Sequence, residues 1–264
     1  MAKFNLALCY LGVHNFNQAI DVLSDLHNNG HDTAAVNNLM AQAYVGDSQP
    51  QRAFQALQEA SKQTPIDERL YSFVADACTD HYAYELGLQI VDLGLLHLPG
   101  SARLHYERAV FLGRLGRLGE ADPEFQLANK FAPGSDLAYL SLIQERLYED
   151  KPAEALAVAR TGINAGHRDY QMLSLLGTVL MYAGASPGQS EFAEAREALE
   201  ASVAAQPEYS TSQIALGKLY LMEGRHRDAV THLEIGRRLE PQNPSVYKSL
   251  ATAYRGLGER KGAG

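Results

Sequence analysis

The sequence of 264 residues predicts an all-α solenoid of stacked helical hairpins, and three observations predict it. Ala19, Ala53, Gly87, Ala121 and Ala155 stand 34 residues apart, and after a six-residue slip Ala195 and Ala229 resume the interval. His31, Pro65, Pro99, Pro133, His167, Pro207 and Pro241 keep the same spacing. Two independent sets of positions on one period are the mark of a repeat architecture. The third observation is that one period reads as helix–turn–helix. In residues 34–65, Val36, Met40, Ala43 and Tyr44 make one apolar face at helical spacing. Gly46-Asp47-Ser48 breaks that helix, and Pro50 sits where a first helical turn tolerates a missing N–H. Ala53, Leu57 and Ala60 then line a second helix, which Thr64-Pro65 ends. Neither helix buries its face alone, so each hairpin has to stack on its neighbours.

Taken in order, the elements are seven hairpins and a final helix. The hairpins are expected at 1–33, 34–67, 68–101, 102–135, 136–169, 170–209 and 210–243. Lys3 to Leu11 already reads as a first helix with no polar cap before it, as in a piece cut from a longer protein. Hairpin five is the least regular, with large Ile143 where a small residue is expected and Arg146 at an inward position. That geometry predicts either a splayed hairpin or an arginine reaching a carboxylate such as Glu145 or Glu149. Hairpin six holds the insertion, Ala185–Ser190, expected as a surface loop between its helices. Residues 244–257 form a capping helix, polar through Lys248, Ser249, Thr252 and Arg255, and 258–264 a disordered tail. The whole of 1–257 is read as one solenoid.

Composition narrows the function. A formal charge of −8 argues against nucleic acid, which needs a basic stripe. Residues 1–132 carry nine Lys/Arg against fifteen Asp/Glu, and residues 133–264 fourteen against sixteen, so the acidity is mostly N-terminal. Late bases such as Arg225, Arg237 and Arg255 read as solvated helix faces. Cys9 and Cys78 are too few and too far apart for a disulfide framework, and both read as small buried residues. No membrane span and no signal peptide is visible, and the compartment, cytoplasmic or periplasmic, is left open.

Position by position, the pattern resembles the tetratricopeptide repeat over nearly the whole chain. That family has a small residue at position 8, here Ala7, Ala41, Ala75, Ala109, Ile143, Gly177, Gly217 and Ala251. Position 11 is large, with Tyr10, Tyr44, Tyr220 and Tyr254, but also Cys78, Leu112, Arg146 and Leu180. Positions 20 and 32 are the two series above. Position 24 reads Leu23, Leu57, Val91, Phe125, Ala159, Leu199 and Leu233. The family's aromatic at position 4 survives only as Tyr71, Tyr139 and Tyr247, with His105 a weaker substitute. The resemblance implies a right-handed superhelix whose first helices line a concave groove.

No catalytic or metal constellation is found. The nine histidines fall mostly at turns and helix ends, as His14, His81, His31 and His167 do, which points to solvent and not to one ion. Gly113, Gly116 and Gly119 coincide with a helix–helix turn and follow no strand, so they read as turn glycines and not as a phosphate loop. The chain is read as a non-enzyme without cofactor.

The groove positions implied by the resemblance carry the candidate binding residues. In the first half these are Asn38, Gln42, Arg69, Phe73 and Asp76, then Arg103 and Tyr106, with Glu107 beside them. In the second half they are Leu140, Gln144 and Tyr148, then Thr178, Tyr182, Lys218 and Met222. The family's clamp for acidic chaperone tails, with its Lys and Asn at set positions, is matched by no consecutive trio. The expected function is a non-catalytic protein-interaction scaffold that binds a partner's peptide or helix, in a setting such as a bacterial envelope or secretion assembly. The alternative is a regulatory or substrate-docking arm of a larger enzyme such as a transferase. End-to-end self-association is a third possibility.

Overall fold

The computed structural model describes residues 2–258, so 259–264 of the expected tail lie outside the described residues. Among the described residues there are fifteen helices and no strand. They fall into two compact units that part between Pro133 and Gly134. The first unit holds α1 (Ala2–Gly12), α2 (Phe16–Asn28), α3 (Ala34–Gly46), α4 (Pro50–Gln63), α5 (Glu68–Asp80), α6 (Tyr84–His97), α7 (Ala102–Arg114) and α8 (Leu118–Phe131). The second holds α9 (Asp136–Tyr148), α10 (Pro152–Asn164), α11 (Tyr170–Tyr182), α12 (Ser190–Ala205), α13 (Ser210–Met222), α14 (His226–Leu239) and α15 (Pro244–Gly256). Odd helices pack on the even helices that follow them, and within each unit on the next odd helix as well.

One backbone device turns every hairpin. His14, Ser48, Tyr82, Gly116, Asp150, Gly184, Gly224 and Gly258 all have φ between +57° and +97°. Gly258 follows the last helix; at the other seven, the N–H of the next residue bonds back to the carbonyl five residues before it, as in Asn15 to Tyr10 and Gln49 to Tyr44 at 2.8 Å or Arg225 to Tyr220 at 2.9 Å. This is a Schellman closure, which satisfies carbonyls left free at a helix end. Half of these left-handed positions lack glycine, so the turn is set by the stacking of the hairpins and tolerates the local cost.

The second helices end differently. Pro65, Pro99, Pro133, Pro207 and Pro241 each follow the C-cap residue directly and stop the helix. Where histidine replaces proline, glycine precedes it. Gly30 and Gly166 take φ +83° and +99°, and His31 and His167 bond back to Leu26 and Gly162 at 3.0 Å. The next first helix is then capped by Thr33, Asp67, Ser101, Ser135, Asp169 or Asn243, whose side-chain oxygens accept backbone N–H groups. Such caps contribute about 1 kcal/mol each.

The core repeats with the sequence. Ala19, Ala53, Ala121, Ala155, Ala195 and Ala229 are all fully buried, as are Leu23, Leu57, Val91, Leu199 and Leu233. Positions 8 and 24 face each other: a Cβ added to Gly177 would lie 2.5 Å from Leu199, and one added to Gly217 would lie 2.6 Å from Leu233. That facing accounts for hairpin five. Ile143 is fully buried, and the matching position on α10 is Ala159, so the large and small residues have exchanged places at nearly constant volume. Arg146 pairs with Glu149, and its Nε lies 3.4 Å from Glu154, which settles the two expectations in favour of an arginine that reaches a carboxylate.

Three expectations are corrected. Cys9 is exposed on α1, whereas Cys78 is buried and its thiol pKa is pushed up by burial. The insertion is not wholly a surface loop: Ala185 is 6% exposed, and Ser190 already opens α12. The histidines are not uniformly solvent-facing. His105 is buried, and its Nε2 lies 3.0 Å from the Pro99 carbonyl oxygen, where Tyr71 donates to Pro65 at 2.9 Å and Tyr247 to Pro241 at 2.7 Å. His81 is half-buried, its ring 5.2 Å from Phe16 and 6.4 Å from His14.

Candidate partner-binding faces

In the first unit α3, α5 and α7 pack in sequence and form one layer. On α5, Arg69, Phe73, Asp76 and Asp80 are all exposed, and their spacing puts them on one stripe. Arg69 is held by its neighbour Asp67 at 3.1 and 3.2 Å. Phe73 is 49% exposed, which is unusual for so large an apolar ring.

Arg103 on α7 joins the helices. Its guanidinium donates to Asp76 at 3.0 Å and to Glu107, one turn further along α7, at 2.7 Å. Glu107 is only 8% exposed, and its Oε2 has no hydrogen-bond partner. Burial first, and then the neighbouring Asp76 carboxylate, raise the Glu107 pKa to about 8 against the pull of Arg103. Glu68 accepts the Ser101 hydroxyl at 2.5 Å and adds its charge to the same group. Tyr106 is half-buried, its ring 6.2 Å from Phe125.

Asn38 departs from its expected place. It is 6% exposed, and its Nδ2 donates to the Leu70 carbonyl at 2.5 Å while its Oδ1 accepts from Gln42 at 2.8 Å. It ties α3 to α5 and does not face outward.

In the second unit α9, α11, α13 and α15 form the corresponding layer. Leu140 is 5% exposed and belongs to the packing, a second departure from expectation. Gln144 and Tyr148 are half-buried. Thr178 is half-buried too, its hydroxyl donating to the Ser174 carbonyl at 2.8 Å. Tyr182 and Met222 are 58% and 45% exposed, enough for both to meet a partner. The Tyr182 hydroxyl donates to Asp150 at 2.9 Å, which raises its pKa. Lys218 is half-buried, and that burial lowers its pKa.

The first and second helices are also tied by residues that the groove positions do not include. Tyr220 donates to Glu200 and Tyr254 to Glu234, each at 2.9 Å, so the same bond recurs one repeat later. Burial, and then Glu200, push the Tyr220 pKa up to about 12. Among the described residues no three His, Cys, Asp or Glu side chains gather closely enough to hold a metal ion. Nor is any helix long and apolar enough to cross a membrane.

Comparison with known proteins follows the same lines. A tetratricopeptide-repeat family model matches residues 188–254, from just before α12 into α15. Anaphase-promoting complex subunit 7 of Arabidopsis thaliana is 29% identical over 208 residues, which is 77% of this chain but 30% of that protein. The chain therefore spans under a third of the length of that relative. A tetratricopeptide repeat protein from Parabacteroides merdae shares the fold with a TM-score of 0.63 at 13% identity, covering 96% of this chain and 97% of its own. The anaphase-promoting complex hetero-tetramer Cut9–Hcn1 contains a chain that matches at TM-score 0.58 and 12% identity, over 94% of this chain and 48% of that one. With the two 34-residue registers, the repeated turn and the recurring small-against-large core, the chain has the tetratricopeptide-repeat fold and is similar to proteins of that family.

Proposed function

We propose that this chain is a non-catalytic scaffold that binds a peptide or helix of a partner protein on the outward faces of its first helices. The observation that carries this reading is the exposure of Phe73, Tyr182 and Met222 on helices otherwise packed apolar side in. Large apolar side chains open to water are the usual anchors of protein recognition. Tyr148, Tyr182 and Met222 occupy the same position in successive hairpins, so stacking draws them toward one row. The two anaphase-promoting complex relatives, each part of a protein assembly by name, support the same reading.

A second reading, a docking arm of a larger protein, is favoured by the share of the plant relative that the chain spans, 30%. Affinity capture with wild-type chain and with a Tyr182→Ala/Met222→Ala variant tests the proposal. A partner retained by the first and lost by the second, with thermal transitions alike, is the expected result. Loss of the fold in the variant would return these residues to the core and overturn the assignment.

A further inference from the structure

The α5–α7 layer carries a charge imbalance that the fold does not correct. Three carboxylates, from Glu68, Asp76 and Glu107, act on the single guanidinium of Arg103. The nearby arginines are already engaged: Arg69 with Asp67, and Arg108 with Asp92 and Glu124. Glu107 is more than nine-tenths buried, yet one of its oxygens has no partner. Burial favours the neutral form of that carboxyl, so the charge that counts near neutral pH is Glu68 and Asp76 against Arg103 alone, which leaves the cluster one cation short. The outer carboxylate, Asp76, has a side chain 57% exposed, and Phe73 lies one turn away on the same stripe, also open. An acidic group beside an open aromatic ring fits a cation with a planar or alkyl stem, since the ring face attracts the charge and the stem covers the ring.

We infer that the exposed face of α5 and α7 recognises a basic side chain, arginine or lysine, of a partner segment, with Asp76 receiving the charge and Phe73 supporting the stem. This rests on the scaffold reading above and gives its first unit a partner chemistry. The excess of acidic over basic residues in 1–132, fifteen to nine, steers such a segment toward the face and repels an acidic one.

The test uses the full chain and three capped, fluorescein-labelled peptides with one leucine frame, the remaining positions being arginine, serine or glutamate. Fluorescence anisotropy at about 0.15 M salt measures binding, because non-specific charge attraction is damped there. The arginine peptide is expected to bind tightest, and Asp76→Asn and Phe73→Ala each to weaken it about tenfold. Asp76→Glu, which keeps the charge, should retain binding. Asp21→Asn on α2 removes one acidic charge elsewhere and should change little. Equal weakening by Asp21→Asn and Asp76→Asn would mean attraction to net charge alone and would overturn the inference. If the serine peptide binds as tightly as the arginine peptide and Phe73→Ala abolishes both, the basic preference fails while the scaffold reading stands. If no peptide binds in either unit, the groove reading itself fails.

Discussion

Replacing Glu107 with Gln should make stability less dependent on pH, and the size of the effect follows from the burial of one carboxyl. In the folded chain this group has a pKa of about 8, against 4.5 when solvated. Between those values the folded state holds a proton that the unfolded state has released. Stability therefore falls as pH rises through that window, by about 1.4 kcal/mol per pH unit at most. The full window is worth up to about 5 kcal/mol, and water admitted on ionisation returns part of it, leaving about 2–4 kcal/mol. Gln is nearly isosteric. Its carbonyl oxygen can accept from Arg103 as Oε1 does, and its amide leaves one buried polar group unpaired, as the protonated acid also does. Urea unfolding of both proteins at pH 5, 7 and 9 gives the difference directly, since titrating groups that do not act on Glu107 cancel, and the charges of Asp76 and Glu68, which do, are fixed above pH 5 to first order. The variant should match wild type near pH 5 and exceed it progressively toward pH 9. A difference that stays flat, or one in which Gln loses stability as pH rises, would show that the Arg103 pair outweighs burial and that Glu107 is an ordinary ionised partner.

Two further predictions concern the repeat itself. Ser48 has φ +57° in the turn where other hairpins use glycine, so Ser48→Gly should raise stability by about 1 kcal/mol, and Gly224→Ala at φ +72° should lower it by about as much; thermal unfolding of each against wild type checks both signs. Tyr220→Phe removes the bond to Glu200 but keeps the ring that lies under Arg225, so it should cost about 1–2 kcal/mol, read by urea unfolding, and leave the helical spectrum intact.

Much of the fold was legible because repetition supplies many weak signals at one spacing. The alanines at position 20 and the large residues at position 24 are buried wherever the period places them, so a single misplaced residue does not move the frame. The turn was located although four of its eight positions lack the family glycine, since the flanking helices fix where the chain must reverse. What the period conceals is compensation. Ile143 looks like a defect when its own position is considered alone, and it becomes ordinary once Ala159, sixteen residues later, is seen opposite it. Cys9 errs the other way: it shares the apolar first helix with buried Ala7, yet it faces solvent.

The candidate binding faces were less legible, for a reason of angle. Adjacent positions on a helix differ by about 100° in direction, so a small rotation between stacked hairpins decides which of two neighbours meets solvent. Position 5 illustrates this. Asn38, Ser72, Leu140, Ser174 and Ile214 all occupy it, and all are buried between first helices. One residue later, Phe73 stands in water, yet Glu107 at that same position is buried. The difference lies in what the preceding hairpin presents: Arg103 folds over Glu107 because Asp76, 27 residues before that arginine, holds its other end. No local pattern encodes such a triad. It exists only once two hairpins are stacked, and it leaves Asp76 on the open side of the arginine, beside Phe73, with Glu107 buried beneath.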